Sequence, residues 1–194
     1  MRTFPVKSIQ TDASACFFAA LLLLTLPLKW LLAAVWAAGF HELCHILVIK
    51  LMGGRIWGVH IGIGGAVIET EPLTRGNELF CAAAGPAGSL LLLFCFRWIP
   101  RTALCAGVQA LCNLLPLFPL DGGWILRCAA GLLLPPKWSD TACRFLENTT
   151  VLGITVLAVL ACFWYHLGLM PLILAAVLLF KRKIPCKEAK LGVQ

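Results

Sequence analysis

The sequence predicts an all-α polytopic membrane protein of about six transmembrane helices, with a Gly-rich, hairpin-like segment between the second and third. Three observations carry this reading. The 194-residue chain is 60% hydrophobic and 13% charged, against about 25% charged residues in a soluble domain. Its mean hydropathy is +0.90, and apolar runs recur at lengths near the roughly 20 residues that cross a bilayer. Over residues 53–70, glycines interleave with Ile, Val and Trp. That mixture disfavours helix and suits short strands with tight turns.

The elements follow in order. Residues 13–28 form the first apolar run, after Arg2 and Lys7. A cleaved signal peptide would end in a small-x-small site. Pro27-Leu28-Lys29-Trp30 follows instead, so the run reads as a span. The second span covers 30–52 and the third 79–98. Within the third, the small residues of 82–89 let another helix approach closely. The fourth starts near 102 and breaks between Asn113 and Gly123, where Pro116, Pro119 and a Gly pair cannot continue a regular helix. A short helix restarts at 122–134. The fifth and sixth spans are 150–165 and 167–180, joined by a turn near Gly168. One membrane domain fills 1–194: a core at 30–134, C-terminal spans within 150–180, and a basic tail at 181–194. No internal repeat or low-complexity segment interrupts it.

The net charge of +7 is not a nucleic-acid footprint, because the cations sit at the ends of apolar runs. Six spans place both termini on one side. If that side is cytoplasmic, thirteen of the sixteen Lys and Arg residues lie inside and only Lys29, Arg97 and Arg101 lie outside. The basic tail would also be drawn to anionic headgroups of the lipid bilayer. The seven Trp suit interfacial belts. Ten cysteines without a C-x-x-C pair, mostly inside apolar runs, read as reduced packing residues rather than a disulfide framework.

Chemistry concentrates in His41-Glu42-Leu43-Cys44-His45, an H-E-x-x-H within the second span. On a helix the two imidazoles, four residues apart, share one face and can hold one metal ion. Glu42 beside them can act as a general base toward a metal-bound water. Ionisable residues at membrane depth are costly and mark function. A catalytic zinc keeps three protein ligands and an open position. Asp121, Glu69, Glu71 and Glu78 are the acidic candidates for the third. Asp121 stands at the break in the fourth span, where it reads equally well as a ligand or as the N-cap of 122–134. His60 reads as a structural residue near the interface, and His166 as a solvated turn residue. Cys44 need not face the metal.

H-E-L-C-H in the second span, Gly85-Pro86 in the third, and Asn113-x-x-Pro116-x-x-Pro119-x-Asp121-Gly122-Gly123 in the fourth resemble the site-2 protease family, most of all its small six-span, sporulation-type members. The resemblance runs from about 30 to 130 in order and spacing. It implies an intramembrane zinc metalloendopeptidase of a bacterial cytoplasmic membrane, with one catalytic Zn2+. By resemblance, His41, His45 and Asp121 match the metal ligands, Glu42 the catalytic glutamate, and Asn113 a substrate-positioning residue. The implied partner is a membrane-tethered protein substrate, such as a sigma-factor or other transcription-factor precursor. A second, inhibitory membrane protein is a further partner to consider. Two positions depart from the family pattern: Ser89 where Asn is frequent, and Trp124 where a basic residue is frequent. Neither is expected to touch the metal set. No CBS domain is expected after the short tail.

A helical substrate hides its carbonyls, so it must unwind before attack. The Gly-rich segment at 53–70, with its alternating pattern at 56–63, is expected to offer a strand edge to it. The break at 116–123 is expected to give water a polar path, since irregular backbone at depth needs partners. Two other function classes use the same residues. One is a membrane metal-binding or transport protein without hydrolysis, which has little need of Glu42. The other is a proteolytically inactive regulator, against which the intact His41, Glu42, His45 and Asp121 set argues.

Overall fold

A computed structural model describes residues 8–11, 27–62, 65–71, 73–164 and 176. The expected first span at 13–28 and last span at 167–180 fall almost wholly outside these residues, as does His166. The described elements are β1 (Ser8–Thr11), α1 (Leu28–Leu51), β2 (Ile56–Gly62), β3 (Gly65–Thr70), α2 (Arg75–Leu93), α3 (Pro100–Asn113), α4 (Asp121–Leu133) and α5 (Pro136–Trp164). The chain divides into two compact units, Met1–Cys112 and Asn113–Gln194.

In the first unit, α1 starts after Pro27 and runs 24 residues. Its buried residues are Ala33, Ala37, His41 and Ile49, while Leu28, Leu32, Val35, Trp36, Leu43 and Leu47 are exposed. A soluble amphipathic helix does the reverse, burying its large apolar side chains. Small and polar residues inside with Leu and Trp outside is the pattern of a helix solvated by lipid. α1 packs along α2. Thr74 caps α2 by accepting a hydrogen bond from the Asn77 amide, 3.4 Å away. Pro86 lies inside α2 and is buried. α3 buries Ala103, Ala106 and Ala110 completely, a face of small residues that permits close helix approach.

The Gly-rich segment forms the expected strands. β2 and β3 pair antiparallel in the register His60↔Val67 to Gly62↔Gly65. The sequence reading missed β1, which pairs parallel to β2 over Ser8↔Gly58 to Thr11↔Ile61. Four residues carry too short a pattern to announce a strand, and a parallel partner is never adjacent in sequence. The sheet order is β1-β2-β3, so β2 is paired on both sides. Among the described residues, β2 is thus the inner strand at 58–61, and within the Gly-rich segment β3 is the strand that keeps an outer edge.

The expected third span is shifted toward the N-terminus, and the fourth ends at the expected break. α2 has 19 residues, a length of about 28 Å. The expected span to 98 ends early because 94–98 turn ahead of Pro100. α3 has 14 residues. Among the described residues, two helices are long and apolar enough to cross a membrane, Leu28–Leu51 and Pro136–Phe163.

In the second unit, α3's last residue Asn113 and α4's first residue Asp121 bracket a non-helical segment, as the prolines require. α4 begins one residue before the expected 122 and packs on α5. α5 starts at Pro136 rather than 150. The expected span at 150–165 covers only the latter half of this helix. In the structure Lys137, Asp140 and Arg144 are exposed, while Ser139, Cys143 and Glu147 form a buried stripe at four-residue spacing. The buried Glu147 is paired with Arg127 of α4 at 3.0 Å, which offsets the cost of burying its charge.

Candidate metal centre

α1 places His41 and His45 one turn apart on the face that packs against α2. Their Nε2 atoms converge to 3.2 Å, with the rings edge to face at 77°. Two nitrogens bound to one tetrahedral zinc at ~2.0–2.1 Å lie about 3.3 Å apart. The pair thus fits such an ion without ring movement. His41 is 1% exposed and His45 half-buried.

The other ring nitrogens are held. His45 Nδ1 donates to the backbone carbonyl of Cys81 at 2.7 Å. A carbonyl only accepts, so neutral His45 carries its proton on Nδ1 and turns a bare lone pair outward from Nε2. His41 Nδ1 lies 2.8 Å from Ser89 Oγ, which is fully buried. A hydroxyl can accept or donate. In the metal-ready tautomer, His41 Nδ1–H donates to Ser89 and its Nε2 is bare as well. Such outer partners orient ligating imidazoles and raise their basicity.

This corrects one sequence-based expectation. Ser89, a departure expected to stay clear of the metal set, touches it directly through His41. Sequence reasoning also missed the Cys81 carbonyl, and it named Gly85 as a motif residue without its task. A Cβ on Gly85 would overlap His45 Nε2 and come within 2.6 Å of His41 Nε2. The Gly-Pro pair is thus where α2 gives the imidazoles room. Cys44 turns elsewhere: its Sγ fills the space that a Cβ on Gly88 would need.

Replacing Ser89 by Ala removes the hydroxyl partner of His41 Nδ1. Zinc affinity, read by competition with a chromogenic chelator, is expected to fall about 10–100-fold. An unchanged affinity would show that the hydroxyl does not hold the ring.

Glu42 follows His41 on α1 and is half-buried. The remaining predicted residues lie in the second unit. Asp121 is the first residue of α4 and half-buried, and Leu120, not Asp121, occupies the N-cap position. The N-cap reading of Asp121 is therefore set aside. The two glycines after it fit the segment before it. A Cβ on Gly122 would meet the backbone of Leu114 and Leu115, and one on Gly123 that of Leu117 at 2.6 Å. The non-helical segment lies backbone to backbone on the head of α4, and side chains there would push it away. Each of His41, His45 and Asp121 offers one atom of a kind that a borderline divalent ion takes, imidazole nitrogen or carboxylate oxygen.

No protein family matches the chain by sequence, and no curated protein does. Among solved structures it is similar to a site-2 protease from Methanocaldococcus jannaschii, with 19% sequence identity and a TM-score of 0.65. The likeness covers 94% of this chain and 92% of that one. At that identity it speaks for architecture alone, and the chain has the fold of that site-2 protease.

Proposed function

We propose that the chain is an intramembrane zinc metalloendopeptidase that cuts a membrane-tethered protein substrate. The observation that carries this is the His41–His45 pair. Two Nε2 atoms converge at 3.2 Å with both Nδ1 atoms engaged, beside a glutamate, in a helix able to cross a membrane. The shared fold supports it. We assign His41 and His45 as two ligands of one metal ion and Asp121, by the family resemblance, as the third. The six-span count, with both termini cytoplasmic, belongs to this reading, as does the likeness to stage IV sporulation protein FB. A sigma-factor or other transcription-factor precursor is the substrate class proposed, and regulated proteolysis in sporulation the setting.

When bound, the ion would act as a Lewis acid and make its water more acidic. The chain's own residues do the rest. His45 and His41 keep their Nε2 lone pairs aimed together, because Cys81 and Ser89 hold the opposite nitrogens. The Glu42 carboxylate accepts the proton of the attacking water and returns it to the leaving amine nitrogen. Asn113, at the end of α3, is proposed to hold the unwound substrate through its amide.

The test is reconstitution of the purified chain in liposomes with an epitope-tagged, membrane-tethered sigma-factor precursor. Cleavage is expected to stop on zinc chelation and return on adding zinc. Stoichiometric zinc without cleavage of any tethered precursor would favour the metal-binding or transport reading instead.

A further inference from the structure

In the second unit, three side chains outside the metal set form one connected group. The Arg127 guanidinium of α4 lies 3.0 Å from Glu147 Oε1 of α5. The same guanidinium stands over the ring of Phe118, 4.1 Å from its centroid. Phe118 belongs to the non-helical segment between α3 and α4, three residues before Asp121. Its ring also packs on Trp124, with centroids 5.4 Å apart. Trp124 and Arg127 are three residues apart on α4 and so share a face. They hold Phe118 between them.

Glu147 is 5% exposed. A buried carboxylate is costly unless it is paired, so its partner is the pointer. Its partner is Arg127, whose planar fork can bond a carboxylate and stack on a ring at once. Lysine offers a point charge and no such plane. The group therefore ties α5, through α4, to the segment that delivers Asp121. Gly122 and Gly123 lay the backbone of that segment on the head of α4. Phe118 is the side chain through which α4 grips it.

We propose that Arg127, braced by Glu147 and stacked on Phe118, is a positioning residue that sets the path of residues 118–121 and thereby aims the Asp121 carboxylate. The proposal rests on the reading of Asp121 as a metal ligand. Arg127 touches no reacting atom and acts through Phe118.

The test measures zinc affinity of the full-length purified chain by chelator competition, beside the thermal unfolding of the metal-free protein. Removing Arg127 outright would strand a buried Glu147 and threaten the fold, so milder variants serve. Phe118→Leu keeps the ion pair and removes the ring face. Arg127→Lys keeps the charge and removes the plane. Each is expected to lower zinc affinity about 10-fold, with metal-free unfolding little changed. Phe118→Tyr, which retains the ring face, is expected to bind zinc as the natural chain does. Asp121→Asn is measured in parallel and is expected to cost about 100-fold or more. If Phe118→Leu and Arg127→Lys only lower the unfolding temperature and leave affinity intact, the group is a packing element and the proposal is wrong. If those two have no effect on affinity while Asp121→Asn does, the ligand reading stands and the positioning role falls. If Asp121→Asn leaves affinity unchanged, both fall together.

Discussion

Replacing Glu42 by Gln is expected to slow cleavage of a membrane-tethered substrate by about 10²–10⁴-fold, the range that a positioned general base contributes. Gln has the same shape and keeps one carbonyl oxygen, so packing in α1 should hardly change. What it loses is the anionic oxygen that accepts a proton from water and passes it to the leaving nitrogen. The metal should remain, because the imidazoles are held by their own partners: Ser89 at 2.8 Å and the Cys81 carbonyl at 2.7 Å. The diagnostic result is lost cleavage with zinc content equal to that of the natural chain. Glu42→Gln protein that cleaves at the natural rate would remove Glu42 from the mechanism. Loss of zinc along with activity would make Glu42 a ligand or a structural support instead.

The second large effect is expected from Gly85→Ala, a change of one methyl group. That methyl would overlap His45 Nε2 and sit within 2.6 Å of His41 Nε2. Neither ring can swing aside freely, since each is tethered at Nδ1. The methyl must either break a tether or push α1 from α2. Both outcomes spread the nitrogen pair beyond what one ion can bridge. Zinc affinity is expected to fall about 100-fold or more, with overpacking costing about 1–3 kcal/mol of stability. Gly39→Ala is the matched control. It lies two residues from His41 on the same helix, and a Cβ there meets nothing within 4 Å. Stability should rise there by up to about 1 kcal/mol, as for Gly to Ala in a helix, with zinc binding unchanged. Equal zinc binding by Gly85→Ala and the natural chain would show that the pair does not bind the ion as drawn.

Much of the architecture was legible because its causes are local. Charge content and apolar runs depend on composition alone, and they announced a membrane chain. The four-residue spacing of His41 and His45 puts both on one helix face whatever surrounds them. Pro116, Pro119 and the Gly pair break a helix by their own backbone chemistry, and α3 and α4 duly end and begin around them. The Gly-rich segment became β2 and β3 for the same reason. The onset of α5 at Pro136 was not legible, because an apolar run marks only the part of a helix suited to lipid and the first turns here are polar.

Sequence by itself thus determined the class of protein, the helix that carries the histidines and the break that precedes Asp121. Each follows from contacts within a turn of helix or a single hairpin. Tertiary structure alone decided what holds the Nδ1 of each imidazole. Ser89 is 48 residues from His41 and Cys81 is 36 from His45, and no periodicity relates such positions. Ser89 looked like a departure because its role depends on a partner helix. Gly85 looked like one small residue among several because its task is to leave room for rings carried on α1. Local rules place a side chain on a face. Only packing says what that face meets, and here what it meets sets the chemistry of the pair.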